Sequence, residues 1–103
     1  MKAGELDMAE DNVRKGLRFV PGDQKGLFYL ASINYERGNY DAAHKQLTEA
    51  VKDNAPDAET LWLFARVERQ LGNRAAEESL LTQLRRKYPD SSEYQEFLKG
   101  NAK

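Results

Sequence analysis

A lone imidazole, a few paired carboxylates and two clusters of aromatic and basic residues are what this chain offers for chemistry. His44 is the only histidine and cysteine is absent, so no second His or Cys exists to complete a nucleophile pair or a metal site. His44 stands a turn before Leu47 in a helical stretch, which makes it a half-buried packing residue. Glu77 and Glu78 fall in a charged helical stretch of the kind that forms a solvated face. No glycine-rich phosphate loop occurs. The expectation is therefore no catalytic residue, no metal and no cofactor. The clusters say more. Helical spacing puts Phe28, Ser32 and Tyr35 on one face, and Trp62, Arg66 and Arg69 on another. Aromatic rings flanked by arginines suit peptide binding, because rings give apolar area at small entropic cost and Arg forks satisfy carboxylates or carbonyls.

The elements that must carry these residues are helices. Apolar positions recur with helical period almost everywhere, without strand-like alternation. Breakers at 21–23, 38–39, 54–57, 72–73 and 88–92 and at Gly100 divide the chain. Helices are predicted near 5–19, 24–36, 40–53, 57–70, 74–87 and 91–99. Asp57 and Ser91 stand at two of the starts, with Glu93 in the following first turn.

A spacing of 34 residues separates Gly4 from Gly38 and Gly38 from Gly72. At that spacing Leu27 matches Leu61, Leu30 matches Phe64, Ala31 matches Ala65, Ile33 matches Val67 and Leu47 matches Leu81. Ala9 matches Ala43 and Val13 matches Leu47, while Pro21 matches Pro89 two periods on. A helix-turn-helix unit of this length resembles the tetratricopeptide repeat. Small residues at 31 and 65 would let paired helices approach, and Gly38 and Gly72 would turn the chain between them. Asn34 and Glu68 depart from the repeat, standing where an aromatic residue is usual. Ala76, Leu80, Leu81, Leu84 and Tyr88 suggest a shifted packing phase in the last long helix.

The resemblance implies an all-α tetratricopeptide-repeat solenoid of antiparallel helix pairs with a C-terminal capping helix. Residues 1–103 would form a single repeat domain. Within it, 1–23 hold the second helix of a partial repeat, 24–57 and 58–91 are full repeats, and 92–103 form the terminal helix and tail. That helix would use Tyr94, Phe97 and Leu98 to cover the last unit's apolar face. An open N-terminal edge would favour self-association. The first helix of each repeat would line an inner groove, so the expected protein-binding residues are Lys25, Phe28, Tyr29, Ser32, Tyr35, Trp62, Arg66 and Arg69. Glu36, Glu59, Leu63 and Gln70 share the expected exposed phase. Trp62 admits a second reading, as a packing residue under Arg66. Phe28 and Ser32 occupy positions where carboxylate-clamping co-chaperone repeats need Lys and Asn.

Residues 59–100 are similar in more detail to the C-terminal end of the type IV pilus biogenesis and stability lipoproteins, the repeat-built pilotins. The matching residues include Leu61, Leu63, Ala65, Leu71, Gly72, Leu84, Tyr88, Pro89, Ser91, Tyr94 and Phe97. The resemblance implies a non-catalytic scaffold on the periplasmic side of the outer membrane that helps the pilus secretin localise and assemble. Membrane attachment would come only through a lipid anchor upstream of this segment. A generic adaptor, or the structural end of a longer array, is the alternative. Composition fits either reading. A net charge of −1 gives no basic excess for nucleic acid. The longest apolar run, 61–65, is too short to span a bilayer.

Overall fold

The computed structural model describes residues 3–100, which form six helices: α1 (Ala3–Phe19), α2 (Gln24–Glu36), α3 (Tyr40–Ala50), α4 (Ala58–Leu71), α5 (Arg74–Lys87) and α6 (Ser92–Leu98). The outermost expected residues, 1–2 and 101–103, lie outside the described residues. The fold is all-helical, and no helix among the described residues is long and apolar enough to cross a membrane. The chain divides between Ala55 and Pro56 into two compact units.

In the first unit α2 packs on both α1 and α3. Asp23 caps α2, its carboxylate accepting from the Gly26 amide at 3.0 Å. Leu27, Leu30, Ala31 and Ile33 of α2 are buried, together with Ala43, Leu47 and Ala50 of α3. Ala31 and Ala43 present only a methyl group each, so the helix backbones can approach. Gln24 draws the ends of the pair together, its Nε2 lying 3.1 Å from the Ala50 carbonyl and 3.2 Å from that of Asn54. Helix α3 stops at Ala50 rather than at the expected 53. Ala50 is the last buried residue, and Asp53 and Asn54 beyond it are exposed polar residues that compete with helical backbone bonds.

Helix α1 is fastened at one end by an ion cluster. Arg37, just past α2, donates from Nη1 to Glu10 Oε1 at 2.7 Å and from Nη2 to Asp7 Oδ1. Arg14 donates to the other Glu10 oxygen at 2.8 Å. Hydrogen bonds from Arg37, then Arg14, hold the Glu10 carboxyl below its ordinary range, against a smaller opposing effect of desolvation.

In the second unit α4 packs on α5 and α6. Asp57 caps α4 through the Thr60 amide at 2.8 Å, and Ser91 caps α6 through the Tyr94 amide at 3.1 Å. Leu61, Phe64, Ala65 and Val67 are buried, as are their counterparts in α2. The equivalence fails in α5. Leu81, matched to the fully buried Leu47, is only half-buried, whereas Leu80 and Leu84 are buried. Glu77, at Ala43's position, is too large and polar for the close contact, and α5 turns its leucines in instead. Tyr88 closes the unit by donating to the Pro56 carbonyl at 2.9 Å.

Both long turns close alike. Gly38 and Gly72 have φ of 79° and 77°, a left-handed conformation that costs other residues roughly 1–2 kcal/mol. The amides of Asn39 and Asn73 then reach back five residues to the carbonyls of Asn34 (2.8 Å) and Glu68 (2.9 Å), as in a Schellman closure.

Candidate functional site

The expected binding residues fall into two sets, one on each unit. On α2, Lys25 lies over the rings of Phe28 and Tyr29 at 5.4 Å and 5.6 Å from their centroids. The two rings meet edge to face at 5.6 Å. Phe28 and Ser32 are half-buried and Tyr29 is exposed. Tyr35 sits apart from them, packed edge-on against Tyr40 of α3 at 5.5 Å. Tyr29 and Ser32 also line an apolar trough between α1 and α2, with Leu6, Ala9, Val13, Ile33 and Glu36.

On α4 the arrangement is tighter. Trp62 retains 9% exposure, its ring covered edge-on by Phe97 of α6 at 6.3 Å and overlain by the Arg66 guanidinium at 5.8 Å. Arg66 is half-buried there. Arg69, exposed, leans toward the start of α5, where its Nη1 lies 3.8 Å from Glu77 Oε2. Leu63 is buried rather than on the exposed phase expected for it. Its neighbours Leu61, Trp62, Phe64 and Ala65 are buried as well, so α4 is covered on more than one face here. Phe97 and Tyr94 of α6, 6.0 Å apart, are half-buried, but Leu98 remains 59% exposed and covers nothing. The helix is only seven residues long; Phe97 meets Trp62 of α4, and both rings border a groove with Leu81 and Arg85 of α5.

Sequence reasoning missed the polar latch under each turn. Asn34 and Glu68 are both buried. Asn73 Nδ2 donates to Glu68 Oε2 at 2.8 Å, and Asn39 Nδ2 approaches Asn34 Oδ1 at 3.4 Å. Asn34 in turn donates to the Leu30 carbonyl at 3.2 Å and to Gln46 Oε1 at 2.9 Å. The signal was the second residue of each Gly-Asn pair. Its amide does not cap the helix that follows and instead satisfies the polar residue five positions back. His44 is half-buried, and no group of metal-binding side chains occurs among the described residues.

Helix pairs closed by left-handed glycines 34 residues apart, Gly38 and Gly72, define a repeat protein with exposed helix faces available for contact. The chain belongs to the tetratricopeptide-repeat family: two models of that description match it, over residues 34–99 and 1–59. Among solved structures it is similar to that of Pseudomonas aeruginosa pilF, at 26% identity and a TM-score of 0.83 over 94% of this chain. It spans 44% of that protein's chain. No curated protein matches it in sequence.

Proposed function

We propose that this chain is a non-catalytic protein-binding part of a type IV pilus biogenesis factor, acting at the periplasmic side of the outer membrane. Its partner in this reading is the pilus secretin, whose localisation and assembly it assists, with a lipid anchor supplied upstream. The observation that carries the proposal is the likeness to pilF across 94% of the chain, joined to the pilotin-like residues at 59–100. Tetratricopeptide repeats are typically interaction modules, and the Lys25, Phe28 and Tyr29 cluster on α2 sets a cation over one half-buried and one exposed ring. Phe28, Tyr35, Arg66 and Arg69 are the residues assigned to the contact, together with Ser32 at its margin.

A second reading is favoured for the second unit alone. The burial of Trp62 beneath Phe97 makes that part of α4 a packed end rather than an open anchor. Both readings meet one experiment, an amide-shift titration of labelled protein with the periplasmic region of the secretin. Shifts on Phe28 and Tyr35, abolished by Lys25→Glu with Phe28→Ala, are expected. Shifts that also depend on Arg66→Glu with Arg69→Glu would bring α4 into the contact. No shift at high secretin concentration would reject the secretin as a partner of these faces.

A further inference from the structure

Among the described residues, the most exposed large apolar side chain stands at the end of α1. Phe19 is 87% exposed and Val20, which follows it, 56%. The repeat's own packing does not account for them. Lys87, two periods on from Phe19, is likewise the last residue of its helix and is exposed, although that helix packs on α4. Asp53, one period on, is exposed as well. The position therefore faces outward even where a helix precedes it in the pair, and the other two copies fill it with charge. Only in α1 is it apolar, and Pro21 and Gly22, both exposed, prolong the uncharged stretch.

The backbone of this turn is bonded within itself. The Val20 amide donates to the Gly16 carbonyl at 3.2 Å and the Asp23 amide to the Val20 carbonyl at 3.1 Å, while Pro21 has no N–H to offer. Such a turn gives little to a partner that pairs through main-chain hydrogen bonds. It suits an apolar medium, where an unsatisfied backbone group is costly. Charge is sorted to match. Lys15 and Arg18, both exposed, lie within a turn of Phe19. The acidic residues of α1, namely Glu5, Asp7, Glu10 and Asp11, all fall in its first half. The nearest is about 12 Å back along the axis at the helical rise, beyond the roughly 8 Å over which charges act at physiological salt. Asp23, past the turn, directs its carboxylate to the Gly26 amide.

We propose that the turn at Phe19–Gly22 is a membrane-contact tip. Phe19 and Val20 enter the interface of an anionic phospholipid bilayer, and Lys15 and Arg18 meet its phosphates. A protruding ring needs a shaped pocket on a protein partner, whereas lipid chains close around it without one. The contact is peripheral, since no helix among the described residues is long and apolar enough to cross a membrane. It uses none of the residues assigned to the secretin and does not depend on that reading. It adds to the expected upstream anchor a contact that sets which end of α1 faces the bilayer.

The test uses the whole chain and vesicles of phosphatidylcholine with or without phosphatidylglycerol, free of secretin. Co-sedimentation with the anionic vesicles is expected, and amide signals of residues 18–22 should broaden when the lipid carries a spin label while those of residues 5–11 do not. Phe19→Ser with Val20→Ser should lower partitioning by roughly tenfold or more at an unchanged melting temperature, because both side chains are exposed. Lys15→Glu with Arg18→Glu should abolish the preference for phosphatidylglycerol, as should high salt. No co-sedimentation at millimolar lipid, binding unaffected by the serine pair, or broadening centred elsewhere would overturn the proposal. So would a serine pair that weakens the secretin titration and leaves vesicle binding intact, since the tip would then be a protein contact.

Discussion

Residues 34–39 close their turn over a neutral amide, whereas residues 68–73 close the same turn over a carboxylate. The backbone is alike in both: a left-handed glycine followed by an asparagine whose N–H reaches back five residues. The side chains below differ in charge and in the bonds they make. Asn34 shares its hydrogen bonds among the Leu30 carbonyl, Gln46 and Asn39. Glu68, at 1% exposure, takes a short bond from Asn73. The glycine sets the path of the chain, and the asparagine makes a polar residue tolerable beneath it. The two units thus share a backbone rule and diverge in the side chains that satisfy it.

The sharpest divergence lies in the second helix of each pair. Leu47 and Leu84 are both without exposed area, though they are not equivalent at the 34-residue spacing. Leu47→Ala and Leu84→Ala should each destabilise by roughly 2–5 kcal/mol, the range for buried Leu-to-Ala changes. Leu81→Ala, at the position equivalent to Leu47, should cost well under half as much. Urea unfolding of the three variants decides the point. Equal losses at 81 and 84 would remove the phase difference between α3 and α5.

Asn73→Ala removes the short bond to the buried Glu68 carboxylate and should cost about 1.5–3 kcal/mol, the range for a hydrogen bond to a charged group. Asn39→Ala, beneath which Asn34 keeps its bonds to Leu30 and Gln46, should cost about 1 kcal/mol or less. Thermal melts of both variants compare the latches directly. A larger loss at 39 than at 73 would reverse the ranking of the two turns. Gly38→Ala and Gly72→Ala, by contrast, should lose similar amounts, roughly 1–2 kcal/mol each, because both need the same positive φ. A difference beyond that range between the two glycine variants would show that the turns are not equivalent in backbone.

Those glycines explain why the repeat was legible from residue types alone. A position with positive φ admits few alternatives to Gly, and a close helix approach admits few alternatives to Ala, so Gly38, Gly72, Ala31 and Ala65 stand out in the sequence. The caps Asp57 and Ser91 were legible for a similar reason, since a short acceptor beside a free amide is a local requirement. The buried state of Trp62 was not, because it depends on Phe97, thirty-five residues away, turning toward α4 while Leu98 turns out. Nor was the role of Asn34 and Glu68. A polar residue on a helix reads as exposed unless the donor that permits its burial is identified, and here that donor is disguised as a helix cap. The end of α3 was overrun because residues 51–53 have no strong breaker of their own; lost packing beyond Ala50 stops the helix.

The smallest predicted effect contrasts the ion pairs of the two units. Glu10 receives close bonds from Arg37 and Arg14, while Arg69 and Glu77 are 3.8 Å apart. Because the folded state holds the Glu10 carboxyl below its ordinary range, the unfolded chain takes up its proton at higher pH than the folded one. The stabilisation is therefore complete above the ordinary glutamate range and is lost as pH falls through the lowered folded value. Acidification from pH 7 toward pH 3 should loosen α1 before α4 and α5, since the cluster joins α1 to the end of α2 by close bonds, whereas the Arg69–Glu77 pair spans 3.8 Å. Amide hydrogen exchange across that range should show protection falling first in α1, and Glu10→Gln should lower α1 protection at pH 7 while flattening its decline in acid. If α1 and α5 lose protection together, or if Glu10→Gln leaves the acid response of α1 unchanged, the Arg37 cluster does not fasten α1.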